Sequence, residues 1–260
     1  MKPKVTAIIQ ARMRSNRLPG KIFLPLAGKP ALWWIVKRAS LAELVDEVIV
    51  ATTSNASNDL IWIYGNQDKK QFPASVYRYT KDENNVIGRV LSAARKSKTD
   101  IIVDITGDCP MVDPQHIDYL INELLNNDYD YISNDVVKRS WPNGLDIQVY
   151  KTSVLRKCKE KFNPKQHCGW NIPQHPEEFN CGNWPAPEGM DWPDLGLTLD
   201  TARDYEFLSE VFNKFGRTKD IDLLPILNPK FVVEDVIRFL RKYPKLITNK
   251  DVYRKKPKEG

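Results

Sequence analysis

A chain of 260 residues can hold one large domain or two small ones, and 42% hydrophobic with 28% charged residues is the composition of a globular protein, not of a disordered, collagen-like or membrane-embedded one. No apolar run approaches the ~18 residues of a spanning helix, and Val5 to Ile9 is too short for a signal-peptide core, so a cytoplasmic protein without a membrane span is expected. The last twenty residues carry eight basic against two acidic side chains, which accounts for the whole net charge of +6 and leaves no basic body that would call for a nucleic-acid partner.

Residues 1–240 read as one domain and 241–260 as a basic C-terminal tail. The chain opens with a strand, Val5 to Ile9, followed by a basic loop and then a helix that starts at Pro30 and aligns Leu32, Ile35, Val36 and Ala39 on one stripe. Glu47 to Ala51 and Asp100 to Ile105 read as further strands, nearly continuous in apolar residues, as strands covered on both faces must be. A second helix is signalled at Asp113-Pro114, with Ile117, Leu120, Ile121 and Leu124 on its stripe. Alternating strands and helices predict an α/β fold with a mostly parallel twisted sheet.

Beyond Tyr131 the pattern changes. Leu145 to Val149 and Leu195 to Leu199 alternate with period two, predicting strands with one face on the core and one free. Residues 134–194 form an irregular Trp- and Pro-rich excursion holding Trp141, Trp170, Trp184 and Trp192, expected to cover a site or form a subunit interface. Helices resume at Thr201 and from Val232 to Leu240. Cys109, Cys158, Cys168 and Cys181 have no paired spacing and read as reduced thiols; His167, Cys168, His175 and Cys181 fit a structural zinc site poorly.

Ligands of open α/β sheets bind beyond the carboxyl ends of the strands, which directs attention to the loop after the first strand. Between Gln10 and Lys21 it carries Arg12, Arg14, Arg17 and Lys21 with no acid among them, a self-repelling set unless an anion or distant acids balance it. Neither a Walker loop nor a G-x-G-x-x-G turn is present. Two acids are candidates for a divalent cation that accompanies phosphates. Asp108 lies in Thr106-Gly-Asp-Cys-Pro110, and Asp200 ends the stretch Gly196-Leu-Thr-Leu-Asp. Asp108 alternatively reads as a turn residue, and Asp200 as the N-cap of the helix that follows.

These residues resemble the sugar-acid cytidylyltransferase superfamily of the KDO and acylneuraminate enzymes, and most of all the spore coat polysaccharide biosynthesis protein F family. The resemblance spans about residues 4–217. It rests on Ile9-Gln-Ala-Arg-Met-Arg-Ser-Asn-Arg-Leu-Pro-Gly-Lys21, Pro25-Leu-Ala-Gly-Lys-Pro30, Thr106 to Pro114, Pro142-Asn-Gly-Leu-Asp-Ile-Gln-Val149, His175 to Phe179 and Leu197 to Thr201, in that order. It implies a nucleotide-diphospho-sugar transferase fold and transfer of CMP from CTP to an anionic sugar or sugar acid in polysaccharide biosynthesis. By the same resemblance Ala11, Arg12, Arg17, Gly20, Lys21, Thr106 and Gly107 bind the nucleotide. Arg12, Lys21, Asp108 and Asp200 are catalytic, Asp108 and Asp200 hold Mg2+, and Asp146, Gln148 and His167 meet the acceptor. A homodimer formed through the excursion is implied as well. Three positions depart from the family pattern: Asn85 stands before Val-Ile where an acid is common, Gln148 replaces the Glu of D-V-E-V, and Gln166-His-Cys-Gly169 replaces E-H-V-T. A different nucleotide, a small phosphorylated acceptor, or a nucleotide-binding relative without turnover remain as alternatives.

Overall fold

A computed structural model describes residues 2–164, 167–218 and 226–250. Among these, seven strands form one sheet: β1 Val5–Gln10, β2 Glu47–Thr53, β3 Ser75–Tyr79, β4 Ile101–Thr106, β5 Tyr131–Ser133, β6 Gln148–Lys151 and β7 Cys181–Asn183, in the order β3-β2-β1-β4-β6-β5-β7. The helices are α1 Ala31–Ala39, α2 Asp59–Gly65, α3 Val86–Ser97, α4 Pro114–Asn126, α5 Thr152–Phe162, α6 Ala202–Phe215 and α7 Val233–Lys242. β1 runs parallel to β2 and β4, and β2 parallel to β3; β6 is antiparallel to β4 and β5, and β7 is parallel to β5. The sheet is therefore mostly parallel, as the alternation predicts.

Both faces are covered, which explains the nearly continuous apolar runs of β1 and β4. Val5, Ala7 and Ile9 pack with α1, α4, α6 and α7, whereas Ile8 packs with α3 and α5 on the other side. From β1 the chain moves to one side for β2 and β3, then crosses to the other side for β4. That reversal opens a crevice beyond Gln10 and Thr106, which stand opposite each other at the strand ends.

Several elements differ from the sequence reading. Leu195 to Leu199 is not a strand. It makes one bridge, Gly196 with Asn143, and otherwise spends its backbone on loops: Leu197 N–H donates to Asn143 O, and Leu199 N–H to Asp108 O at 2.8 Å. The strand read at Leu145 starts only at Gln148, although Leu145, Ile147 and Val149 are all buried as the alternation requires. α2, α3, α5, β3, β5 and β7 are additions. The boundary at residue 240 also moves, because α7 continues to Lys242 and Asn249 is wholly buried, donating to Gly196 O and Asp204 Oδ1. Residues 251–260 of the tail and Gln166 lie outside the described residues.

The tryptophans of the excursion mostly pack inward. Trp141 is 1% exposed and lies against His116 and Trp184, and Trp184 stacks on Tyr119 of α4. Trp192 lies under the Arg241 guanidinium, and Trp170 alone of the four is exposed. A buried cation ties α1 to α4. Arg38 Nε donates to Val112 O, Nη1 to Pro229 O and Phe231 O, and Nη2 to Asp113 Oδ2 at 2.9 Å, while Asp113 Oδ1 caps α4 by accepting from Gln115 N–H.

Candidate active site

The crevice at the strand reversal is a cleft of about 580 Å3. Its floor is formed by the ends of β1 and β4, where Gly107 approaches so closely that a Cβ there would lie 2.6 Å from the Gln10 carbonyl oxygen. Only glycine lets the two loops meet at this distance.

The basic loop is held from outside and turned by one residue. Met13 N–H donates to Asn58 Oδ1, Gly20 N–H donates to Met13 O, and Gly20 adopts a φ of 72° that favours glycine. The turn starts a short 3-10 segment at Lys21, and Ile22, 1% exposed, sinks into the core. Lys21 is thereby fixed at the cleft with its ammonium donating to Asp108 Oδ2 at 3.0 Å and to Asp200 Oδ1 at 2.8 Å. Arg17 Nη2 reaches Asp200 Oδ2 at 2.8 Å.

Two opposite groups so close tune each other. Burial pushes the Lys21 ammonium down, but Asp108 and Asp200 outweigh it and hold its pKa above the usual value. Burial pushes the Asp108 carboxyl up, and Lys21 with the Thr106 hydroxyl brings it below the usual carboxylate value.

Asp200 escapes its alternative role, while Asp108 does sit in a turn, closed by Cys109 N–H donating to Thr106 O, and from there turns its carboxylate to Lys21. Thr201, not Asp200, caps α6: its Oγ1 accepts from Asp204 N–H, and Asp204 Oδ2 in return accepts from Thr201 N–H, a reciprocal box that leaves the Asp200 carboxylate free for Lys21 and Arg17. Asp108 is drawn to Asp200 because its carbonyl accepts from Leu199 N–H and from Thr198 Oγ1, stapling the two loops together. Two carboxylates from distant segments thus already share one cation, the Lys21 ammonium. A divalent ion bound by one or two protein carboxylates, with phosphate and water completing the shell, suits that donor set. The zinc reading finds no support: His175 stacks on Phe162, and among the described residues no group of three or more His, Cys, Asp or Glu could hold a metal ion.

Arg12, Arg17, Lys21, Thr106, Gly107, Asp108, Asp146, Gln148, His167 and Asp200 all line the cleft. Ala11 and Gly20 do not: Ala11 is 1% exposed with its N–H given to Ala51 O, and Gly20 serves the turn. Asp146 is engaged by Arg139, which donates from Nη1 to Oδ1 at 2.6 Å and from Nη2 to Oδ2 at 3.1 Å. Gln148 Nε2 donates to Asp135 Oδ2 at 3.2 Å. Asn85 caps α3 by accepting from Gly88 N–H, so its departure from the family pattern concerns a helix terminus, not the cleft lining.

Sequence reasoning missed Arg89, Asp104, Asp135 and Arg139. Arg89 and Asp104 had a legible signal, being lone charges on the apolar stripe of α3 and within the apolar β4. Asp104 is 6% exposed and accepts from Gln10 Nε2 and from Tyr150 OH at 2.9 Å; burial nevertheless keeps its carboxyl above the usual pKa. Asp135 and Arg139 sit in the irregular excursion, where no periodicity marks a residue.

Residues 6–223 match the family described as cytidylyltransferase. The spore coat polysaccharide biosynthesis protein SpsF of Bacillus subtilis is 29% identical over 237 residues, covering 85% of this chain and 92% of its own. A 3-deoxy-manno-octulosonate cytidylyltransferase of Geobacter metallireducens is 29% identical over 174 residues, or 62% of this chain and 65% of its own. Among solved structures, a cytidylyltransferase from Leptospira borgpetersenii serovar Hardjo-bovis superposes with a TM-score of 0.81 at 30% identity, covering 95% of this chain and 98% of the other.

Proposed function

The chain belongs to the cytidylyltransferase family, and on that footing we propose that it transfers CMP from CTP to a hydroxyl of an anionic sugar or sugar acid, releasing pyrophosphate, in the synthesis of a surface polysaccharide or glycan. The observation that carries this reading is the convergence of Lys21, Arg17, Asp108 and Asp200 at the strand reversal.

Arg12, Arg17 and Lys21 bring cations to the triphosphate. The Lys21 ammonium has three hydrogens and gives two to carboxylates, which leaves one for a phosphate oxygen. Asp108 and Asp200 would hold Mg2+, which when bound neutralises charge on the donor's phosphate oxygens. The acceptor oxygen attacks the α-phosphorus opposite the departing pyrophosphate, and the negative charge that builds there meets side chains already oriented by the fold, so catalysis is positioning plus electrostatic stabilisation. Asp146, Gln148 and His167 line the part of the cleft assigned to the acceptor.

The test is incubation with each of the four nucleoside triphosphates, Mg2+ and a panel of sugar acids, with pyrophosphate as readout. Release confined to CTP with an anionic sugar is expected; preference for UTP or GTP reassigns the donor, and nucleotide binding without turnover across the panel makes the protein a sensor. We also read the enzyme as a cytoplasmic homodimer joined through residues 134–194, where Val137 and Trp170 expose apolar surface. Solution mass at micromolar concentration tests this, and a monomer rejects it.

A further inference from the structure

The phosphate-handling residues leave two buried charges in the cleft without a task. Arg89 is 3% exposed and, among the described residues, forms no ion pair; its Nη1 reaches only Glu83 O at a long 3.4 Å, and its Nε has no partner. The Asp135 side chain is 9% exposed; its Oδ2 accepts from Gln148 and lies 3.9 Å from Arg139 Nη2, whereas its Oδ1 is buried without a partner. Of the buried side-chain nitrogens and oxygens left without partners among the described residues, these are the two that belong to residues lining the cleft. One is a donor on a cation, the other an acceptor on an anion. Orphaned buried groups are costly, more so when charged, and a fold keeps them where a ligand completes them.

The two belong to one wall. Arg89 lies within electrostatic reach of Cys168, of Arg12 at the edge of the basic loop and of Asp104; Gly169, the residue after Cys168, backs Asp104 and leaves no room for a Cβ against Gln148; Gln148 in turn holds Asp135. The wall also answers the departure at Gln148. Where the family pattern has a carboxylate at that position, this chain has an amide, and the carboxylate is supplied from Asp135 at hydrogen-bond distance from it.

We propose that Arg89 and Asp135 are the two poles of the acceptor subsite, the Arg89 guanidinium taking the acceptor's anionic group and Asp135 Oδ1 accepting a hydrogen bond from an acceptor hydroxyl. The acceptor is thus a small hydroxylated anion, its charge a carboxylate or a phosphate. The inference rests on the cytidylyl-transfer reading but names residues that reading does not use. The triphosphate already has the cations of the basic loop, which is why Arg89 goes to the acceptor.

The experiment uses the full chain with CTP, Mg2+ and two arms of probes: sugar acids (3-deoxy-manno-octulosonate, N-acetylneuraminate, glucuronate) and sugar phosphates (glucose 1-phosphate, glucose 6-phosphate). Pyrophosphate release gives KM for each substrate, and saturation-transfer NMR on the CTP-loaded protein gives acceptor binding separately. Arg89→Met is expected to raise the acceptor KM roughly tenfold or more with the CTP KM within about twofold, and to leave the melting temperature unchanged or higher, since it removes an unpaired buried cation. Asp135→Leu raises the acceptor KM, while Asp135→Asn, which keeps an oxygen in place, has the smaller effect; a loss as large in Asn as in Leu means an ammonium faces this residue and overturns the hydroxyl assignment. A rise in the CTP KM instead, unchanged KM values, or a lowered melting temperature with both KM values intact overturns the subsite. So does a wild type that binds none of the probes. Wild-type binding that depends on Arg89, without pyrophosphate from any nucleotide, sinks the transfer reading and leaves the subsite standing.

Discussion

Among the described residues, two arginines lie almost wholly inside the molecule, and they are furnished in opposite ways. Arg38, between α1 and α4, gives hydrogen bonds to three carbonyls and a carboxylate and packs its guanidinium carbon 3.9 Å from the Phe231 ring centre; burial lowers its pKa to about 10 without unsettling it. Arg89, in the cleft wall, has one long bond and a bare Nε. A charge that serves stability has every donor matched within the fold, whereas a charge that serves a ligand is left open toward the space the ligand fills. The same contrast separates the closed capping box at Thr201 from the neighbouring Asp200, whose carboxylate meets Lys21 and Arg17 of the basic loop at the edge of the cleft.

The largest expected break between the two classes is in turnover. Asp108→Asn and Asp200→Asn are expected to cost more than about 10³-fold and to alter the Mg2+ dependence, and Lys21→Ala about 10²–10³-fold; near-normal pyrophosphate release from these variants refutes the roles. Arg38→Met, remote from the cleft lining, should cost stability with turnover of the folded protein retained. Leaving Asp113 buried without its cation costs about 3–5 kcal/mol, or roughly 6–20 °C in melting temperature by calorimetry, and a variant as stable as the wild type would show that the Arg38 network is not structural.

A smaller effect depends on pH. Burial and the neighbouring Asp146 push the Asp135 carboxyl up to about 7, against the opposing pull of Arg139 and Gln148. Between the ordinary carboxylate value near 4 and 7 the folded chain keeps a proton the unfolded chain has released, so this group's contribution falls as pH rises through that window. Asp135→Asn imitates the protonated form, and its melting temperature should gain on the wild type from about pH 4 to 7; parallel curves would remove the assignment. The smallest effect is at the α6 terminus, where Thr201→Ala should cost about 1 kcal/mol, seen as a drop of about 2–4 °C.

How much of this was legible follows from range. β1, β2, β4, α1, α4, α6 and α7 were readable because their apolar spacing is local, and the Pro30 and Asp113-Pro114 starts carry their own backbone chemistry. α2, β3, β5 and β7 were not, being short, nor were α3 and α5, whose apolar stripes are narrow and interrupted by Lys and Arg. Leu195 to Leu199 shows the opposite error: period two is satisfied, yet its partners are two loops, and whether an extended segment joins a ladder depends on what lies beside it. In the cleft, Lys21, Asp108 and Asp200 were found from loop position and motif, whereas Asp135 and Arg139 acquire meaning only from Gln148 and Asp146 beside them.

The amino-acid order by itself determined the alternating layers, the place of the basic loop after the first strand and the two acids that balance it, because periodicity, turn chemistry and charge are properties of neighbouring residues. Tertiary structure alone decided that Thr201 relieves Asp200 of capping, that the Asp108 and Asp200 loops are stapled together, that the body runs through Asn249, and that Arg38 is matched while Arg89 is not. The physical reason is the same in each case: whether a polar group is satisfied depends on partners tens of residues away, and only the packed chain brings them within hydrogen-bond reach.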